Sequence, residues 1–564
     1  MRAHQTDVLV IGAGGGGAMA AYEAGKHGAS VLVVSKNAAQ RGGATIMAPG
    51  AIAAAGSWAV PGDSPDVHLA DTIRGGSFLS EQGLVRLVAE ETPDRVLELE
   101  RIGAMWQREA DGRTYSLRID GGHSFARCPF LEDRTGREML RTLVGELRRR
   151  GVGFASGIVV LKLLLHDGRV CGAAGLDLAN CEPVLLRAKT VILACGGAGN
   201  AYANTSCPTG VTGDGFALAL DAGATLMDME FVQFFPLGFC FPHSLRGCLG
   251  GLLFHVHLLN SRGERFMERY DPERLELSTR DRVSRSMFAE IREGRGGPHG
   301  GVFADMRYQE PGFIERMQPA LFHTYQKIGI DPARDLLELA PTCHFYMGGA
   351  RVTADWESTV PGLFLVGENA ADIHGANRLS QNALPQLLVS GARAGRAAAQ
   401  QAREHGQAPV EPTEALATTE GARRLLARET GVRPHELRNR LREVMWEHTG
   451  VYRTGAGLYA ARIVLEELEA TLDSQSLSQR STRYNAELVE ALENRFLLTT
   501  ARCVVEGALR RTESRGAHFR DDFPDTDNRD WLRHLEVRRG QAGLEWTSAP
   551  VDLCEMRPEE RGGC

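Results

Sequence analysis

The feature that most constrains this chain is a glycine-rich loop close to its start. The segment VLVIGAGGGGAMAAYEAG begins with apolar residues, passes through Gly12, Gly14 and Gly17, and continues with small residues. This order predicts a buried strand, a tight turn and a helix, the context in which a G-x-G-x-x-G pattern binds a dinucleotide. Glycines there let backbone N–H groups approach a pyrophosphate at the helix N-terminus. The loop therefore predicts a Rossmann-like dinucleotide-binding domain.

The next strand argues against a nicotinamide dinucleotide as the primary ligand. A carboxylate about 20 residues after such a loop normally binds the ribose, but the strand ASVLVVSK ends in Ser35 and Lys36. Two later apolar segments with glycines, VILACGGAG at 191–199 and GLFLVGE at 362–368, predict further strands of the same sheet. We therefore expect one dinucleotide domain assembled from separated segments.

Composition narrows the class of protein. The 564 residues carry a net charge of −7 with 43% hydrophobic residues, which is typical of a large soluble enzyme and argues against binding to nucleic acid. The eleven cysteines include no C-x-x-C pair, so we expect no metal or iron–sulfur site in this chain. Without a signal peptide or a transmembrane run, a cytoplasmic location is predicted.

Patterns along the chain predict its domains. The segment 159–176 reads as a hairpin, residues of mixed character follow from about 235 to 340, and apolar residues at helical spacing dominate beyond 435. We predict an α/β fold with a Rossmann-like domain (1–234 and 341–400), an inserted α+β capping domain (235–340), a C-terminal helical domain (415–523) and an irregular tail (524–564).

Nine further segments carry a resemblance to a known family. They are EDRTGREML, TGDGFALALDAGA, LLNSRGERFMERY, TRDRVSRSM, EIREGRGGP, PTCHFYMGG, GLFLVGE, HGANRL and ESRGAHFRDDFP. With the glycine loop, they make the chain resemble the flavoprotein subunits of fumarate reductase and succinate dehydrogenase, which are related to L-aspartate oxidase and more distantly to the adenylylsulfate reductase flavoprotein. The resemblance covers nearly the whole chain.

The resemblance implies FAD as the cofactor. It assigns the pyrophosphate to Gly12, Gly14, Gly15 and Gly17, the adenosine side to Ser35, Lys36 and Val159, the flavin chain to Asp214 and Glu368, and the isoalloxazine to Asn382, Ala383 and Leu384. Two alternatives stay open: Asp214 as a helix cap and Glu368 as the partner of a structural arginine. Gly43 and Ala44 stand where membrane-bound members carry a histidine that binds FAD covalently, so FAD is expected to be non-covalent.

The family's reaction assigns three catalytic residues by position. Its members pass a hydride between flavin N5 and one carbon of a C=C bond beside a carboxylate, while a buried arginine exchanges a proton with the other carbon. Arg280 matches that arginine; Arg378 and His344 match the groups that bind one carboxylate. Arg378 and Arg282 could lower the pKa of Arg280. Arg280 in a salt bridge at a helix start and His344 as a core histidine remain the alternatives.

The pattern breaks at the family's second carboxylate site. Phe235 replaces a histidine, Leu237 a threonine, Cys248 and Leu249 a Thr-Glu pair, and Asp120 a phenylalanine. The surrounding loop is apolar, with Phe234, Phe239, Phe241, Leu252, Leu253 and Phe254. Fumarate and succinate are therefore expected to be poor substrates, because an apolar wall rejects a second carboxylate. The nearest ionisable residues that could rebuild a polar site or a proton relay are His243, Arg246, His255 and His257.

The leading hypothesis is an FAD-dependent oxidoreductase that acts on an α,β-unsaturated carboxylate, or its saturated form, with one apolar end. We expect an iron–sulfur or cytochrome partner subunit, through which alone the chain would meet a membrane. Three alternatives remain: chemistry like that of adenylylsulfate reductase, a subunit that only passes electrons within a larger complex, and a genuine fumarate reductase or succinate dehydrogenase.

Overall fold

The computed structural model describes residues 1–251 and 255–558. Its strands are β1 Arg2–Ile11, β2 Val31–Ser35, β3 Leu117–Arg118, β4 Cys128–Pro129, β5 Gly153–Ser156, β6 Ile158–His166, β7 Arg169–Asp177, β8 Pro183–Leu193, β9 Leu226–Met227, β10 Val232–Phe239, β11 His257–Leu259, β12 Val302–Asp305, β13 Leu337–Tyr346, β14 Gly349–Arg351, β15 Leu363–Leu365, β16 Ala370–Ala371, β17 Arg533–Gly540 and β18 Gly543–Pro550.

The α-helices alternate with these strands in the first half of the chain and follow one another after residue 383. They are α1 Gly15–Lys26, α2 Pro65–Gly75, α3 Gln82–Arg101, α4 Thr135–Arg149, α5 Asp214–Asp221, α6 Met267–Tyr270, α7 Arg280–Arg292, α8 Phe313–Met317, α9 Pro319–Lys327, α10 Ala383–Glu404, α11 Pro412–Ala427, α12 Pro434–Thr449, α13 Gly455–Thr471 and α14 Ala486–Arg510. In the part of the chain described here, no helix combines the length and apolarity needed to cross a bilayer.

The main sheet joins strands that are far apart in sequence. Its order is β5-β2-β1-β8-β7-β6, with β15 also paired to β8. The strands β5, β2, β1, β8 and β15 are mutually parallel, and β6 and β7 extend the sheet as an antiparallel hairpin. Because parallel strands are covered on both faces, their residues are apolar without alternation, as in Val8–Ile11. The α/β fold and the assembly from separated segments are confirmed.

Glycines let two helices pack closely beneath the sheet. A Cβ on Gly391 would lie 2.7 Å from the carbonyl oxygen of Gly16, and one on Gly395 would lie 2.3 Å from that of Ala20. Both distances are below any normal contact, so α10 can approach α1 only with glycine at these two positions. This contact fixes α1, and with it the glycine loop, against a helix that begins more than 350 residues later.

The inserted region forms a small antiparallel sheet with its own core. Its strands follow the order β10-β13-β12-β11, and α7 packs on β10. Apolar residues including Leu237, Phe239, Val283 and Leu339 form this core. The sheet begins at Val232 and ends at Tyr346, slightly outside the predicted limits of 235 and 340. The helices α12, α13 and α14 pack together as the predicted C-terminal helical domain.

The prediction of an irregular tail is wrong for residues 533–550. There β17 and β18 form an antiparallel hairpin, and β17 pairs with β9 to complete a five-stranded sheet, β16-β14-β9-β17-β18. The side chain of Asp228 anchors the hairpin: it accepts hydrogen bonds from His534 Nδ1 at 2.5 Å and from the Leu535 N–H at 3.0 Å. Polar residues dominate the hairpin, so its apolar signal is weak, and its partner strand lies about 300 residues away.

Replacing His534 with alanine is expected to destabilise the protein by about 1–3 kcal/mol, because the buried Asp228 carboxylate loses its nearest charged donor while it keeps Arg511 at 3.5 Å and the Leu535 N–H. Although burial opposes protonation, Asp228 and Glu81 raise the pKa of His534 from 6.5 to about 10. The stabilising contribution is therefore complete below pH 6.5 and is lost as the pH rises through 10.

Chemical unfolding of FAD-loaded wild type and His534→Ala, measured from pH 6 to pH 10, checks this expectation. The difference in free energy of unfolding should shrink as the pH rises. His405→Ala, at an exposed histidine, is the control and should stay close to wild type. A difference that grows with pH would contradict the assigned charge state.

Candidate active site

A long cleft opens at the carboxyl ends of β1, β8 and β15 and runs under the inserted domain. It holds about 1910 Å³ of space free of protein atoms, its open mouth included. The main sheet, the inserted domain and the start of α10 all contribute to its wall. Ligands of open α/β sheets bind at this edge, because the strand ends and helix N-termini converge there.

Most of the sequence-predicted cofactor residues line this cleft. They are Gly12, Gly14, Gly15, Ser35, Lys36, Gly43, Ala44, Asp214, Glu368, Ala383 and Leu384. Gly17, Val159 and Asn382 do not line it. Val159 points into the core and its neighbours Ile158 and Val160 line the cleft instead, because successive residues of a strand face opposite sides. The side chain of Asn382 is buried against His68 and Thr72.

The glycine loop has the shape that a pyrophosphate requires. Gly12 has a φ of +115°, and a Cβ there would lie 2.1 Å from the carbonyl oxygen of Ala194. A Cβ on Gly17 would lie 2.0 Å from the carbonyl oxygen of Gly12, so Gly17 allows the close turn without facing the ligand. The N-cap residue Gly14 has no side chain, Thr45 Oγ1 accepts from the Gly15 N–H at 3.1 Å, and Gly14, Gly15 and Gly16 line the cleft at the start of α1.

Lys36 links the cleft to the helical domain. Its Nζ lies 2.9 Å from a carboxylate oxygen of Asp214 and 2.7 Å from one of Glu493 on α14. Burial lowers the pKa of Lys36, but the two carboxylates outweigh it and raise the pKa above its ordinary value. Asp214 does not cap a helix: it accepts from Thr212 Oγ1 at 2.5 Å, and Gly213 is the N-cap residue.

Glu368 is held by backbone groups. Its Oε1 accepts from the Tyr346 N–H at 2.9 Å, and burial raises its pKa to about 7. Within residues 1–251 and 255–558 no arginine, lysine or histidine forms an ion pair with it, so the alternative of a structural arginine is not supported. A carboxyl group with this pKa can donate or accept a hydrogen bond near neutral pH.

The three predicted catalytic residues meet in the wall of the same cleft. Arg280 is the first residue of α7, His344 lies on β13, and Arg378 lies on the loop before α10. Arg280 donates from Nε to Ser380 Oγ at 2.9 Å and contacts Gln233 Oε1 at 3.4 Å. It therefore makes polar contacts with neutral groups, and among the described residues it forms no salt bridge at the helix start.

Both arginines are buried cations without an acidic partner. Arg280 is 8% exposed and Arg378 is 3% exposed, and no carboxylate among the described residues lies within 4.0 Å of either. Arg378 Nε has no hydrogen-bond partner in that part of the chain. Burial lowers the pKa of both groups, and the charge of Arg280 lowers that of Arg378 further. A carboxylate in the cleft would relieve this cost through two charged donors.

His344 completes this polar wall as a neutral group. Its Nδ1 lies 2.8 Å from Ser206 Oγ. Burial, followed by the charges of Arg378 and Arg280, holds its pKa well below the ordinary value. At neutral pH it can therefore donate or accept a hydrogen bond without adding a third positive charge.

An apolar wall stands beside these residues. Phe235, Leu249 and Gly251 line the cleft, and the Phe235 ring lies 5.3 Å from that of His344. Leu237 is fully buried behind this wall, its Cδ1 3.6 Å from the position a Cβ on Gly251 would take. Leu237 packs in the core of the insert with Phe239 and Leu339. Leu252, Leu253 and Phe254 lie outside the described residues.

The rest of the predicted apolar loop does not reach the cleft. Phe234 and Phe239 pack in hydrophobic cores. Phe241 is exposed and stacks on His299 with ring centroids 4.3 Å apart. Cys248 is exposed.

The four ionisable residues predicted near the substrate are not found in the cleft wall. His243 and Arg246 are exposed, on a short helical turn and the residue after it. His257 stacks on Tyr308 with ring centroids 4.0 Å apart. His255 packs edge-on against Phe313, and burial followed by the charge of Arg118 lowers its pKa to about 4.

Asp120 lies behind the cleft wall. It is 6% exposed and accepts hydrogen bonds from the Gly121 N–H at 2.8 Å and from the side-chain amide of Gln381, which itself lines the cleft.

Sequence reasoning missed several neutral or distant groups of the site: Thr45, Ser206, Gln233, Ser380, Gln381 and Glu493. Amide and hydroxyl side chains follow no recognisable motif in the sequence. Only their hydrogen-bond partners in the structure show that they belong to the site.

Two family models match the chain. One described as "FAD binding domain" matches residues 7–384, and one described as "Fumarate reductase flavoprotein C-term" matches residues 438–562. The residues matched by the first model include most of those that line the cleft. FAD is therefore the cofactor of this domain. The glycine loop at the start of α1 and the glycines at 42 and 43 line the cleft and fit that dinucleotide.

Named relatives match along their whole length. A subunit of the "Fumarate reductase (CoM/CoB)" of Methanothermobacter marburgensis is 40% identical over 548 residues, covering 95% of this chain and 97% of that protein. The "Fumarate reductase flavoprotein subunit" of Mycobacterium tuberculosis is 36% identical over 594 residues, covering 99% of each chain.

Solved structures agree with these matches. A quinol fumarate reductase chain of E. coli superposes with a TM-score of 0.94 at 31% identity, covering 100% of this chain and 99% of that chain. The adenylylsulfate reductase of Archaeoglobus fulgidus superposes with a TM-score of 0.80 over 98% of this chain and 96% of that chain, but at 20% identity it shows the fold alone.

FAD is expected to be released on denaturation. Where covalent members carry a histidine, this chain has Gly43 and Ala44, which have no nucleophilic side chain, and both line the cleft. Acid precipitation of the purified protein should leave the yellow flavin in the supernatant. A pellet that keeps the flavin, with fluorescence on a denaturing gel, would reveal a covalent bond through another residue.

Proposed function

The chain belongs to the fumarate reductase and succinate dehydrogenase flavoprotein family, and on that premise we propose a substrate for it. It is an FAD-dependent oxidoreductase that acts on CH–CH groups. Its substrate is an α,β-unsaturated monocarboxylate, or the saturated form, whose far end is apolar. The observation that carries this proposal is one anion site, made by Arg280 and Arg378, beside the apolar wall of Phe235 and Leu249.

One end of the cleft is suited to a single carboxylate. Arg378 offers an Nε–H without a partner in the described chain, and an arginine fork matches a carboxylate with two charge-assisted hydrogen bonds. His344, neutral and oriented by Ser206, adds a hydrogen bond without adding charge. These two residues fix the carboxylate, and with it the position of the neighbouring carbons.

Arg280 is placed to hold and move the proton. When bound, FAD supplies the two-electron chemistry of the reaction. Arg280 gives its proton to the substrate carbon during reduction of the C=C bond, or takes one during its formation. Burial lowers the pKa of Arg280, which brings a guanidinium closer to the range of a useful acid. Ser380 and Gln233 hold the group in one orientation.

The opposite end of the cleft disfavours a second carboxylate. Phe235 and Leu249 offer it no hydrogen-bond donor, and burying an unpaired carboxylate costs several kcal/mol. The guanidinium of Arg280 lies 4.8 Å from the centre of the Phe235 ring, so the ring covers the cation on that side. An alkyl or aryl end would pack there.

We also propose that the chain works with a partner subunit that carries electrons through iron–sulfur or cytochrome groups, and that it meets a membrane only through such a partner. Relatives named as flavoprotein subunits and as quinol fumarate reductase support this. The described residues contain no cluster of three or more metal-ligating side chains that could hold an electron carrier.

A panel of enoates tests the substrate proposal. With reduced viologen as electron donor, a monocarboxylate enoate with an alkyl or aryl end should exceed fumarate in kcat/KM by more than tenfold, since each buried methylene contributes about 0.8 kcal/mol. Phe235→His should narrow this gap by restoring a polar group at the apolar wall. Phe241→His, at an exposed ring outside the cleft, is the matched control and should leave the order of substrates unchanged.

Fumarate ranking first in the wild-type panel would refute the monocarboxylate assignment. It would favour fumarate reduction, the activity that the names of the relatives state. No turnover of any enoate, with normal FAD content, would favour a subunit that only passes electrons.

Arg280→Lys is expected to keep FAD and substrate binding but to lower kcat by roughly 10²–10⁴-fold, the range for loss of a positioned proton donor. Stopped-flow oxidation of the dithionite-reduced flavin by the best substrate of the panel measures this step directly. Arg282→Lys is the matched control, because Arg282 lies on the same helix, is half exposed and pairs with Asp271. Turnover of Arg280→Lys close to wild type would place the proton donor elsewhere.

A further inference from the structure

The side-chain amide of Gln381 is fixed in the wall of the cleft. Gln381 lines the cleft and is 7% exposed. Its Oε1 accepts a hydrogen bond from the Ala51 N–H at 2.6 Å, and its Nε2 donates to Asp120 Oδ2. Turning the amide over would set an N–H against the Ala51 N–H and a carbonyl oxygen against the carboxylate of Asp120. The amide therefore has one orientation, which these two partners determine.

The backbone of Gln381 has a conformation that residues with a side chain rarely adopt. Its φ is +62°, in the left-handed region. A Cβ on Gly50 would lie 2.3 Å from Gln381 Oε1, so a larger residue at position 50 would displace the amide from Ala51. Backbone strain of this kind persists where neighbouring contacts over-determine the conformation, and it is concentrated at ligand sites. In this chain the strained residue faces the cleft.

Asp120 places a carboxylate directly behind that amide. It is 6% exposed, and each of its oxygens accepts a hydrogen bond from an N–H: Oδ1 from Gly121 at 2.8 Å and Oδ2 from Gln381. Acceptance at both oxygens is the pattern of an ionised carboxylate. A Cβ on Gly121 would lie 2.9 Å from the Ser278 carbonyl oxygen, so the turn after Asp120 packs closely against the residues before α7. The carboxylate is therefore held one side chain away from the cleft.

Hydrogen bonds and ring contacts place the Gln381 amide near the apolar wall. Gln381 follows Ser380, whose Oγ accepts from Arg280 Nε at 2.9 Å. Arg280 in turn borders the apolar wall, because its guanidinium lies 4.8 Å from the centre of the Phe235 ring. The amide, and the Asp120 carboxylate behind it, therefore lie on the same side of the cleft as Arg280 and Phe235.

The electrostatic influence of Asp120 agrees with this placement. Burial lowers the pKa of Arg280, and Asp120 is the charge that opposes this shift. On the pKa of Arg378 the charge of Asp120 acts less than those of Arg280 and Glu368. Its negative charge is therefore felt inside the cleft, towards Arg280.

We propose that Asp120, acting through the fixed amide of Gln381, is a specificity-determining residue that selects against substrates with a second carboxylate. The proposal rests on the proposed function, in which Arg378 binds one carboxylate and the far end of the substrate faces the apolar wall. A carboxylate at that far end would meet the negative charge of Asp120 with only a neutral amide between them. A neutral end would meet no such repulsion. The like charge therefore adds a repulsive element to the missing donors of the wall.

A purely structural role for Asp120 makes different predictions. As an anchor for Gln381 alone, Asp120 would influence every ligand alike, through the shape of the cleft. A negative charge instead acts more strongly on a dianion than on a monoanion of similar shape, so its removal changes the ratio of the two affinities. Fumarate and monomethyl fumarate form such a pair, because they share one carbon chain and differ in the charge of one end.

The test compares the FAD-loaded full chain with Asp120→Asn and Asp120→Glu. Changes in the absorbance of the oxidised flavin give the Kd of each compound, and reduced viologen gives kcat/KM. Asp120→Asn keeps an acceptor for Gln381 but lacks the charge. Its affinity for fumarate relative to monomethyl fumarate should therefore rise about tenfold, as expected for removal of one like charge near a partly buried site. The kcat for monomethyl fumarate should stay close to wild type. Asp120→Glu keeps the charge and should keep the wild-type ratio.

Asp133→Asn is the matched control. Asp133 lies in the loop after β4, as Asp120 lies in the loop after β3. It accepts a hydrogen bond from the Ala320 N–H at 2.8 Å and is not among the residues that line the cleft. This substitution also removes one negative charge and keeps an acceptor, so the ratio of affinities should stay at its wild-type value. An equal rise of the ratio in both variants would overturn the proposal, because it would reflect the net charge of the protein.

The outcomes separate this charge effect from the proposed function. An unchanged ratio in Asp120→Asn, with a wild type that still prefers monocarboxylates, overturns the charge effect and leaves the function standing on the apolar wall alone. The same rise of the ratio in Asp120→Asn and Asp120→Glu overturns the charge effect in favour of a change in shape. Fumarate ranking first in the wild type refutes the proposed substrate, while a rise of the ratio confined to Asp120→Asn would still support repulsion of the dianion by Asp120.

Discussion

The site depends on two buried guanidinium groups that have no carboxylate in direct contact. Removing such charges from water costs several kcal/mol for each ion, and the fold offsets this cost only in part. Ser380 and Gln233 bind Arg280, the rings of Phe235 and Phe345 cover the two cations, and the carboxylates of Asp120 and Glu368 act from a distance. In the proposed function, a bound carboxylate corrects the remaining electrostatic imbalance. Part of the substrate affinity then comes from the electrostatic cost of the two buried cations in the empty site.

Four separate regions of the chain must be in place before this site exists. The glycine loop comes from the first strand, Arg280 and His344 from the inserted domain, Arg378 from the loop before α10, and Glu493 from the helical domain. The close contact of α1 with α10 holds the first and the third together. The ion pair between Lys36 and Glu493 ties the adenosine side of the cleft to the helical domain. Cofactor binding therefore depends on the packing of these four regions against one another.

In the proposed function, substrate specificity arises from the hydrogen-bond donors that one wall of the cleft lacks. The carboxylate end keeps the charged and polar groups of the family, whereas Phe235 and Leu249 remove donors from the opposite end. Such a wall discriminates against dicarboxylates, because it leaves the second carboxylate without a hydrogen-bond partner. The free-energy cost of that unpaired carboxylate is larger than the gain from burying one more methylene. His243, Arg246, His255 and His257 lie close in sequence but are not among the residues that line the cleft.

The sequence alone determined the α/β fold and a dinucleotide site, because glycine spacing and apolar strands are local patterns, and its resemblance to a known family pointed to FAD and to Arg280, His344 and Arg378. Tertiary structure decided that Ile158 and Val160 face the cleft instead of Val159, that Leu237 lies behind Gly251, and that residues 533–550 form a hairpin on β9. It also placed the side-chain amide of Gln381 on Asp120, and Glu493 on Lys36. These outcomes depend on strand orientation and on contacts between distant residues, and no local pattern specifies either of them.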